Sequence, residues 1–439
     1  MSLLAGAYAQ ATALLAPALR LHLRRRAGRG KEIAARLAER EGAGAARPAG
    51  RLLWLHAASV GETISILPLL EALAARAPDL ELLVTTATVT GAETLARRLP
   101  VALGGRVQHR FAPLDVPGWV GSFLDGWRPD AVVLVESELW PNLIAACRGR
   151  AIPLALINAR FTPRSAARWQ RWAAGFGREL AGSFRFATAQ TAEDAARLRA
   201  WGFADVRTPG NLKDAALPLA ADPAALAALH AAIGARPVFL AASTRPGEEP
   251  IVLAAAARLR ERLPDLLTIL VPRHPERGAA IAALLSPPPP CRSAGALPLP
   301  ASAVYVADTL GELGLFYRLA GVALIGGALV PLGGQNPREA ARLGCPILIG
   351  PHHFNFQPVV AALLAAGGAE VVRDAPTLAE AAGHVLTNPS RGRVMAAAAS
   401  AALAAEAGLP DGIAQWLLDL LPGQADGSPP GDPGTAPGG

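Results

Sequence analysis

The sequence predicts an α/β protein with two doubly wound parallel sheets, one in each of two domains. From residue 51 onward, short apolar runs alternate with alanine-rich stretches of helical composition. Such alternation is typical of βαβ units, which build parallel sheets with helices on both faces. The pattern occurs twice over segments of similar size, and 439 residues are enough for two or three domains.

Thirteen apolar runs are predicted to be strands. Those of the first series are 51–55, 81–86, 107–111, 131–135, 152–157, 185–189 and 205–208. Those of the second series are 237–242, 266–271, 303–306, 321–325, 345–349 and 369–372. Predicted helices between the first strands include 61–76, 91–99, 165–181 and 191–201. Ligands of such folds bind beyond the carboxyl ends of the strands, so we expect a site in a cleft between two domains.

The domain limits are set by changes in this pattern. We predict an N-terminal membrane-anchor helix with a basic flank (1–30), a first domain (31–210), a linker (211–235), a second domain (236–422) and a disordered tail (423–439). The tail is rich in glycine and proline and lacks the apolar residues that a core requires.

The N-terminal segment is moderately apolar over residues 3–19 and is followed by basic residues over 20–31. A cleavable signal would carry its positive charge before the apolar run, and charge after the run favours a cytoplasmic location for the first domain. The segment is short for a spanning helix, so anchoring at the membrane interface is equally consistent. A helix that simply packs on the protein is the third interpretation. The basic flank favours membrane association.

The formal charge of +7 and a pI of about 10.1 predict an anionic partner, which can be a nucleic acid, a nucleotide or an acidic membrane surface. Nucleic acid is disfavoured because the basic residues are dispersed and the few aromatic residues do not interleave with them. Lys31 and Lys213 are the only lysines among 42 basic residues, which makes Lys213 worth noticing. The cysteines are far apart, which argues against a disulfide framework or a cysteine-based zinc site.

A glycine-rich turn at 326–334 lies between a predicted strand and a predicted helix. Asn336 is a suitable N-cap, Pro337 suits the first helical position, and Glu339 has the spacing of a capping box. Glycines allow close backbone approach, and a helix N-terminus attracts anions. The segment therefore predicts a phosphate-bearing ligand. An ordinary strand–helix loop with a capped helix is the alternative interpretation.

Charged residues follow several predicted strands. Glu62 has capping-box spacing from Ser59 and lies where a helix dipole favours the ionised form, so it is either a helix cap or a general base. Glu136 and Glu138 can steer an acceptor, form a proton relay or bind a metal, and the lack of a nearby His or Asp cluster weakens the metal hypothesis. Lys213 is either a phosphate contact or a solvated linker lysine.

The second series offers further candidates. Arg273 can pair with a phosphate as a fork. Glu312 can accept hydrogen bonds from ribose hydroxyls. His352 and His353 are adjacent and therefore point in different directions, which argues against a metal site.

Eight motifs in order give the chain a resemblance to a known family. They are HAASVGE, VESELWPN, NARF, GNLK, PRHPER, DTLGEL, GGALVPLGGQNPREA and GPHHFNFQP. Together they resemble the 3-deoxy-D-manno-octulosonic acid (Kdo) transferases of Gram-negative bacteria, from the N-terminus to about residue 420. The resemblance implies the GT-B architecture, with two Rossmann-like domains that bind the acceptor and the CMP-sugar, respectively.

The resemblance also implies an activity and a location. Such an enzyme transfers Kdo from CMP-Kdo to a lipid A precursor (lipid IVA) by inverting transfer, without a metal or a cofactor. This step of lipopolysaccharide core biosynthesis takes place at the cytoplasmic side of the inner membrane, so the implied partners are CMP-Kdo, the lipid A precursor and the anionic membrane surface, and not nucleic acid.

Roles carry over to matching positions. Glu62 matches the catalytic base, and Glu138 and Lys213 match residues that stabilise the transition state. The positions that match CMP-binding segments are Pro272, Arg273, Leu310, Gly311, Glu312, Asn336, Pro337, Arg338 and Glu339. The chain departs from the family at Arg338, where an apolar residue is common. Another GT-B transferase that uses a UDP- or GDP-sugar and a hydrolysing or epimerising relative are the alternatives, because fold alone does not decide function.

Overall fold

A computed structural model of the chain describes residues 3–161, 175–215 and 218–422. The chain forms two compact units, one of Met1–Ala216 with Glu406–Gly439 and one of Leu217–Ala405. Each unit is built on one sheet, and every pair of neighbouring strands in both sheets is parallel.

The strands of the first unit form an open doubly wound sheet. They are β1 (Leu52–His56), β2 (Glu81–Thr86), β3 (Val107–Phe111), β4 (Ala131–Val135), β5 (Leu154–Ala159), β6 (Phe184–Ala189) and β7 (Val206–Arg207). Their order in the sheet is β3-β2-β1-β4-β5-β6-β7, with β1 and β4 at the centre. The helices are α1 (Leu3–Ala27), α2 (Val60–Arg76), α3 (Val89–Arg98), α4 (Pro117–Trp127), α5 (Pro141–Gly149), α6 (175–181) and α7 (Ala192–Trp201).

The core of the first unit lies on both faces of its sheet. Along β1, Leu53 and Leu55 belong to the core cluster on one face, and Leu52 and Trp54 belong to the cluster on the other. Successive side chains of a strand point to opposite faces, so a strand covered by helices on both sides must be apolar throughout. The continuous apolar runs in the sequence are therefore explained.

The second unit repeats this architecture with a six-stranded sheet of order β10-β9-β8-β11-β12-β13. Its strands are β8 (Val238–Thr244), β9 (Leu267–Pro272), β10 (Val304–Val306), β11 (Val322–Ile325), β12 (Ile347–Ile349) and β13 (Ala369–Val371). Its helices are α8 (Pro223–Ile233), α9 (Glu249–Arg262), α10 (Gly278–Ala282), α11 (Leu313–Leu319), α12 (Arg338–Arg342), α13 (Gln357–Ala365), α14 (Ala375–Thr387) and α15 (Pro389–Ala402). The short helix α16 (Ala404–Ala407) contains the boundary between the units.

The last helix, α17 (Leu409–Leu418), belongs to the first unit, although the sequence pattern groups residues 236–422 together. Leu409, Ile413 and Leu417 recur every four residues and are buried in the core cluster that contains α2. Each buried leucine or isoleucine contributes about 1.5–3 kcal/mol relative to exposure. The sequence pattern shows that α17 has an apolar face, but it does not show which sheet that face covers.

All of the predicted strands are present, and their limits differ by a few residues at most. Part of the predicted helix 165–181, and the whole predicted tail 423–439, lie outside the described residues.

Helix α1 packs against α4 and α5 through one face and leaves leucines exposed on another. Thr12 Oγ1 accepts a hydrogen bond of 2.9 Å from Asn142 Nδ2 at the start of α5, and the Tyr8 hydroxyl bonds to Asp115. Leu3, Leu14 and Leu15 are exposed. Within the described part of the chain, no helix has both the length and the apolar character needed to cross a membrane.

Candidate active site

In the first unit, polar side chains gather where β1, β4 and β5 end. The carboxyl ends of parallel strands lie at one edge of the sheet, which brings together segments distant in sequence. Glu62 follows β1, Glu136 and Glu138 follow β4, and Asn158 lies near the end of β5. We call Glu62, Glu136 and Glu138 the carboxylate cluster.

Glu62 lies in the first turn of α2 and is 7% exposed. Ser59 is the N-cap, and its Oγ accepts from Glu62 N at 3.3 Å and donates to Glu62 Oε1 at 2.9 Å. Ala58 N donates to Glu62 Oε2 at 2.8 Å. The predicted Ser59–Glu62 cap is therefore present, and each carboxylate oxygen retains a lone pair for a further donor.

Burial raises the pKa of Glu62 above its usual value, although hydrogen bonds from Ser59 and Ala58 oppose the change. The negative charges of Glu138 and Glu136 add to the increase, so both carboxylates lie close enough to act on Glu62. The sequence analysis considered only the helix dipole, which favours the ionised form; burial, which it could not see, raises the pKa of Glu62 overall. A carboxylate with a raised pKa is a stronger base, which suits proton abstraction.

The pKa of Glu138 is shifted in the opposite direction, below its usual value. Burial acts to raise its pKa, but His56 and the Trp140 indole outweigh burial and hold the pKa below its usual value. Trp140 Nε1 donates to Glu138 Oε2 at 2.6 Å, and His56 Nε2 lies 3.7 Å from the same oxygen. Two neighbouring carboxyl groups thus have pKa values pushed apart, which is the pattern of sites that assign different roles to similar groups.

Lys213 contacts the carboxylate cluster through Glu136. Its Nζ lies 2.5 Å from Glu136 Oε1, and its side chain is 42% exposed. A Cβ on Gly61 would lie 3.8 Å from Lys213 Nζ, so the ammonium group is also beside the first turn of α2, next to Glu62. The structure therefore brings the predicted residues Glu62, Glu138 and Lys213 to the same edge of one sheet.

Asn158 explains how Lys213 is positioned. The fully buried Asn158 side chain accepts from Leu212 N at 2.9 Å through Oδ1, and Asn211 Oδ1 accepts from Lys213 N at 3.0 Å. Asn158 and Glu136 have φ of 53° and 59°, values that non-glycine residues rarely adopt. Such strain at two neighbouring strand ends indicates a functional constraint.

In the second unit, the glycine-rich turn binds a carboxylate of the protein itself. The fully buried Glu248 accepts hydrogen bonds from the backbone N of Gly327 (2.6 Å), Ala328 (3.1 Å) and Leu329 (3.0 Å), and from Arg245 N (2.8 Å). The sequence predicts that this turn presents its backbone to a ligand. For these three N–H groups that prediction is wrong, because a side chain about 80 residues earlier occupies them.

The segment after the turn also differs from the prediction. Helix α12 begins at Arg338, one residue later than expected, and Pro337 occupies the cap position without a side-chain cap. Asn336 Oδ1 accepts from Arg338 N at 3.2 Å. A helix of five residues has a small dipole, so charged side chains matter more here than the helix terminus.

Arg273 follows β9 and approaches this segment. Burial raises the pKa of Glu339, whereas the charges of Arg273 and Arg342 oppose that increase. Arg273 and the 336–339 segment therefore lie close enough to interact. Arg245, at the end of β8, donates from Nη1 to His274 Nε2 at 2.7 Å and adds a second guanidinium to this edge.

Glu312 forms hydrogen bonds with Arg292 and Thr309. Its carboxylate accepts two hydrogen bonds from Arg292 (2.9 and 2.6 Å) and one from the Thr309 hydroxyl. The Arg292 bonds lower the pKa of Glu312 despite partial burial. Leu310 is exposed, and Gly311 has a φ of 83° with open space around it. The structure shows no bond between Glu312 and Arg273 or the 336–339 segment among the described residues.

Sequence reasoning assigned no role to His56, Asn158 or Arg245. His56 and Asn158 directly follow the predicted strands 51–55 and 152–157, which was the available signal, whereas Arg245 lies three residues beyond the predicted strand 237–242. Among the residues that the structure describes, no group of three or more His, Cys, Asp or Glu side chains is arranged to hold a metal ion. Metal independence stays a prediction.

Comparisons with known proteins give the family. The model of a family described as 3-Deoxy-D-manno-octulosonic-acid transferase (kdotransferase) matches residues 31–216. The 3-deoxy-D-manno-octulosonic acid transferase of Bordetella pertussis is 39% identical over 431 residues, which cover 94% of this chain and 99% of that protein. The transferase of Haemophilus influenzae is 34% identical and covers 88% of this chain and 90% of its own length.

Solved structures agree on the fold. A glycosyltransferase from Rickettsia africae has a TM-score of 0.52 at 10% identity and covers 85% of this chain and 98% of its own. The UDP-GlcNAc 2-epimerase from Neisseria meningitidis, bound to UDP-GlcNAc, has a TM-score of 0.51 at 16% identity and covers 84% and 99%. These likenesses show the GT-B fold alone. Because the identity to the curated transferases extends over nearly the whole of both chains, the protein belongs to the 3-deoxy-D-manno-octulosonic acid (Kdo) transferase family and is a glycosyltransferase.

Proposed function

We propose that this protein transfers Kdo from CMP-Kdo to a lipid A precursor, lipid IVA, in lipopolysaccharide core biosynthesis. The observation that carries the proposal is the carboxylate cluster, in which the buried Glu62 has a raised pKa beside Glu138, whose pKa is lowered. Membership of the family supplies the substrate class, and the cluster supplies a base for the acceptor hydroxyl.

The reaction is an inverting displacement. Glu62 removes the proton of the acceptor hydroxyl while that oxygen forms a bond to the anomeric carbon of Kdo. The bond between the anomeric carbon and the CMP phosphate breaks on the opposite side, and CMP leaves with the electron pair. One base is sufficient for such a displacement.

Glu138 and Lys213 stabilise the transition state. The anomeric centre gains positive charge as the bond to CMP breaks, and an ionised carboxylate lowers the energy of that charge. The low pKa of Glu138 keeps this carboxylate ionised at the pH at which Glu62 acts as a base. Lys213 balances the charge of Glu136 and prevents three adjacent negative charges from opposing one another.

The second unit binds CMP. Arg273 is exposed at the end of β9 and can pair with the phosphate as a fork. Pro272 and the segments Leu310–Glu312 and Asn336–Glu339 complete the proposed nucleotide site. Arg338 is half-buried in this segment, where its charge favours the phosphate. Guanidinium groups can offset the charge of the leaving CMP, so we propose that no divalent metal and no cofactor are required.

Helix α1 is proposed to lie on the cytoplasmic surface of the inner membrane. Exposed Leu3, Leu14 and Leu15 provide apolar contacts, and Arg24, Arg25 and Arg26 form the basic end of the helix. Apolar burial combined with attraction to anionic lipids is the way interfacial helices bind. Such binding would bring the enzyme to a lipid acceptor.

Calorimetric binding of CMP, UDP and GDP in EDTA tests the donor class. We expect CMP to bind more tightly than UDP or GDP, and Arg273→Gln to weaken CMP binding at least tenfold, about 1.4 kcal/mol. Arg258→Gln, at an exposed arginine on α9, is the matched control and should bind CMP as the wild type does. Tighter binding of UDP or GDP would assign the enzyme to another donor class.

A further inference from the structure

His56 is a buried histidine to which neither the resemblance nor the proposed mechanism gives a role. It is the last residue of β1 and is 1% exposed. Its Nδ1 lies 2.9 Å from Thr85 Oγ1 on β2, and its Nε2 lies 3.7 Å from Glu138 Oε2. The Trp140 ring stands edge-on to the imidazole, with 5.8 Å between the ring centroids.

The bond between His56 and Thr85 bears on which ring nitrogen carries the hydrogen. Trp54 Nε1, which can only donate, bonds to Thr85 Oγ1 at 2.8 Å, and that oxygen keeps a second lone pair and its own hydrogen. In the described part of the chain, His56 Nδ1 is the one acceptor bonded to the Thr85 hydroxyl. We therefore assign the hydroxyl as the donor to Nδ1, which places the hydrogen of the neutral ring on Nε2.

Nε2 has no hydrogen-bond partner among the described residues, although it is buried. A buried N–H without a partner is costly, and the oxygen in front of this one is Glu138 Oε2. Trp140 Nε1 donates to that same oxygen. Trp140 thus binds Oε2, and His56 Nε2 lies 3.7 Å from the same oxygen. In the described part of the chain no hydrogen bond involves Oε1, which is therefore the oxygen that can face a reacting group.

We propose that His56 is a positioning residue that orients the Glu138 carboxylate through Nε2–H and keeps it ionised for the transfer reaction. This inference rests on the proposed function, because it assumes that Glu138 stabilises the transition state. His56 itself does not contact the reacting atoms; it acts through Glu138.

Other charged groups lie near Glu138. Glu138 and Glu136 both act on the pKa of Glu62 through their charges, and Lys213 pairs with Glu136. Asp115 lines the same small cavity as His56 and Trp140, but the backbone N of Asn142 (3.1 Å) and Leu143 (2.9 Å) and the Tyr8 hydroxyl bind its carboxylate. Burial also acts to raise the pKa of Glu138, and His56 is the leading influence in the opposite direction.

The test compares His56→Leu, which removes both ring nitrogens, with His56→Gln, which restores an N–H donor. For His56→Leu we expect kcat to fall with little change in KM for the acceptor. Protonation of Glu62, whose pKa is raised, gives the first break of the acid limb of the kcat–pH profile, and protonation of Glu138, whose pKa is lowered, gives a second break at lower pH. In His56→Leu this second break should move to higher pH, because Glu138 must be ionised and loses a group that lowers its pKa. A rise of one pKa unit reduces the ionised fraction about tenfold on the acid side. His56→Gln should recover most of the activity and return the second break toward its original pH.

His109→Gln is the matched control, since His109 is a half-buried histidine that also bonds to a threonine of β2, at 3.0 Å from Thr86 Oγ1. It should leave both breaks of the acid limb in place even if it lowers stability. A second break at the wild-type position in both His56 variants would show that His56 is only structural and would overturn the proposal. If His56→Leu does not fold, Thr85→Val, which removes the hydroxyl that sets the tautomer, takes its place with Thr85→Ser as control.

A second readout separates this inference from the proposed function. In 13C-glutamate-labelled full-length protein without substrate, the Glu138 carboxyl resonance, identified by its loss in Glu138→Gln, should titrate at higher pH in His56→Leu than in the wild type. An unchanged titration overturns the inference even if the enzyme transfers Kdo. A shifted titration supports it even if the wild type transfers no Kdo, in which case only the proposed function fails.

Discussion

Replacing Glu62 by glutamine separates a catalytic role from a helix-capping role, because the side chain has both kinds of contact. Glutamine keeps the size and one acceptor oxygen, but it cannot take a proton and cannot accept well from both Ser59 Oγ and Ala58 N. A lost hydrogen bond to a charged group costs about 1.5–3 kcal/mol. The raised pKa of Glu62 shows that its buried charge is itself unfavourable, so removal of the charge offsets part of this cost.

We therefore expect Glu62→Gln to lower the free energy of unfolding by about 1–2 kcal/mol, which corresponds to a Tm decrease of about 2–8 °C for a domain of this size. A general base contributes a rate factor of about 10²–10⁴. The loss of kcat should thus correspond to about 3–5 kcal/mol of barrier, more than the loss of stability. CMP binding, which the second unit provides in our proposal, should not change.

The assay is Kdo transfer to lipid IVA under saturating CMP-Kdo, at a temperature well below the Tm of both proteins. Glu71→Gln is the control, because Glu71 is a half-buried glutamate on the same helix whose pKa is also raised by burial. The control should transfer Kdo at a rate similar to the wild type. A Glu62→Gln variant that retains more than about a tenth of wild-type kcat would refute the assignment of the base.

Four further perturbations probe separate parts of the molecule. Ser59→Ala removes a bond that lowers the pKa of Glu62, so the acid limb of the kcat/KM–pH profile, where the base becomes protonated, should move to higher pH; an unmoved limb would show that Glu62 does not set it. Glu248→Gln should leave backbone N–H groups of the glycine-rich turn without acceptors and lower the Tm by on the order of 10 °C in thermal unfolding, whereas Glu261→Gln, on the exposed side of α9, should have little effect. Excess EDTA should leave the transfer rate unchanged, and inhibition that Mg²⁺ reverses would contradict a metal-free mechanism. Leu14→Glu with Leu15→Glu should reduce flotation with vesicles that contain phosphatidylglycerol but leave CMP binding intact; undiminished flotation would exclude this face of α1 as the membrane contact.

The fold is predictable because its main signals are local. Apolar runs such as Leu52–His56 and Ala131–Val135 are buried on both faces, so the covering helices leave a continuous signature in the sequence. The Ser59–Glu62 cap is equally visible, because its partners are three residues apart.

The features that the sequence does not reveal involve contacts between distant segments. Glu248 accepts hydrogen bonds from backbone N–H groups of the glycine-rich turn, and no pattern of sequence spacing links residues 248 and 327. The ion pair of Glu312 with Arg292 and the packing of α17 on the first unit are of the same kind. The direction of the pKa shift of Glu62 is hidden as well, because the sequence shows the helix start but not the depth of burial.

Transfer of Kdo from CMP-Kdo by this chain, with Glu62 as the base, is tested most directly by mass spectrometry of the acceptor. Lipid IVA is incubated with CMP-Kdo in EDTA and either the purified wild type or Glu62→Gln. We predict a product that is heavier by one or more Kdo units for the wild type and almost none for Glu62→Gln. Unmodified lipid IVA with the wild type, or equal product from both proteins, would contradict this assignment.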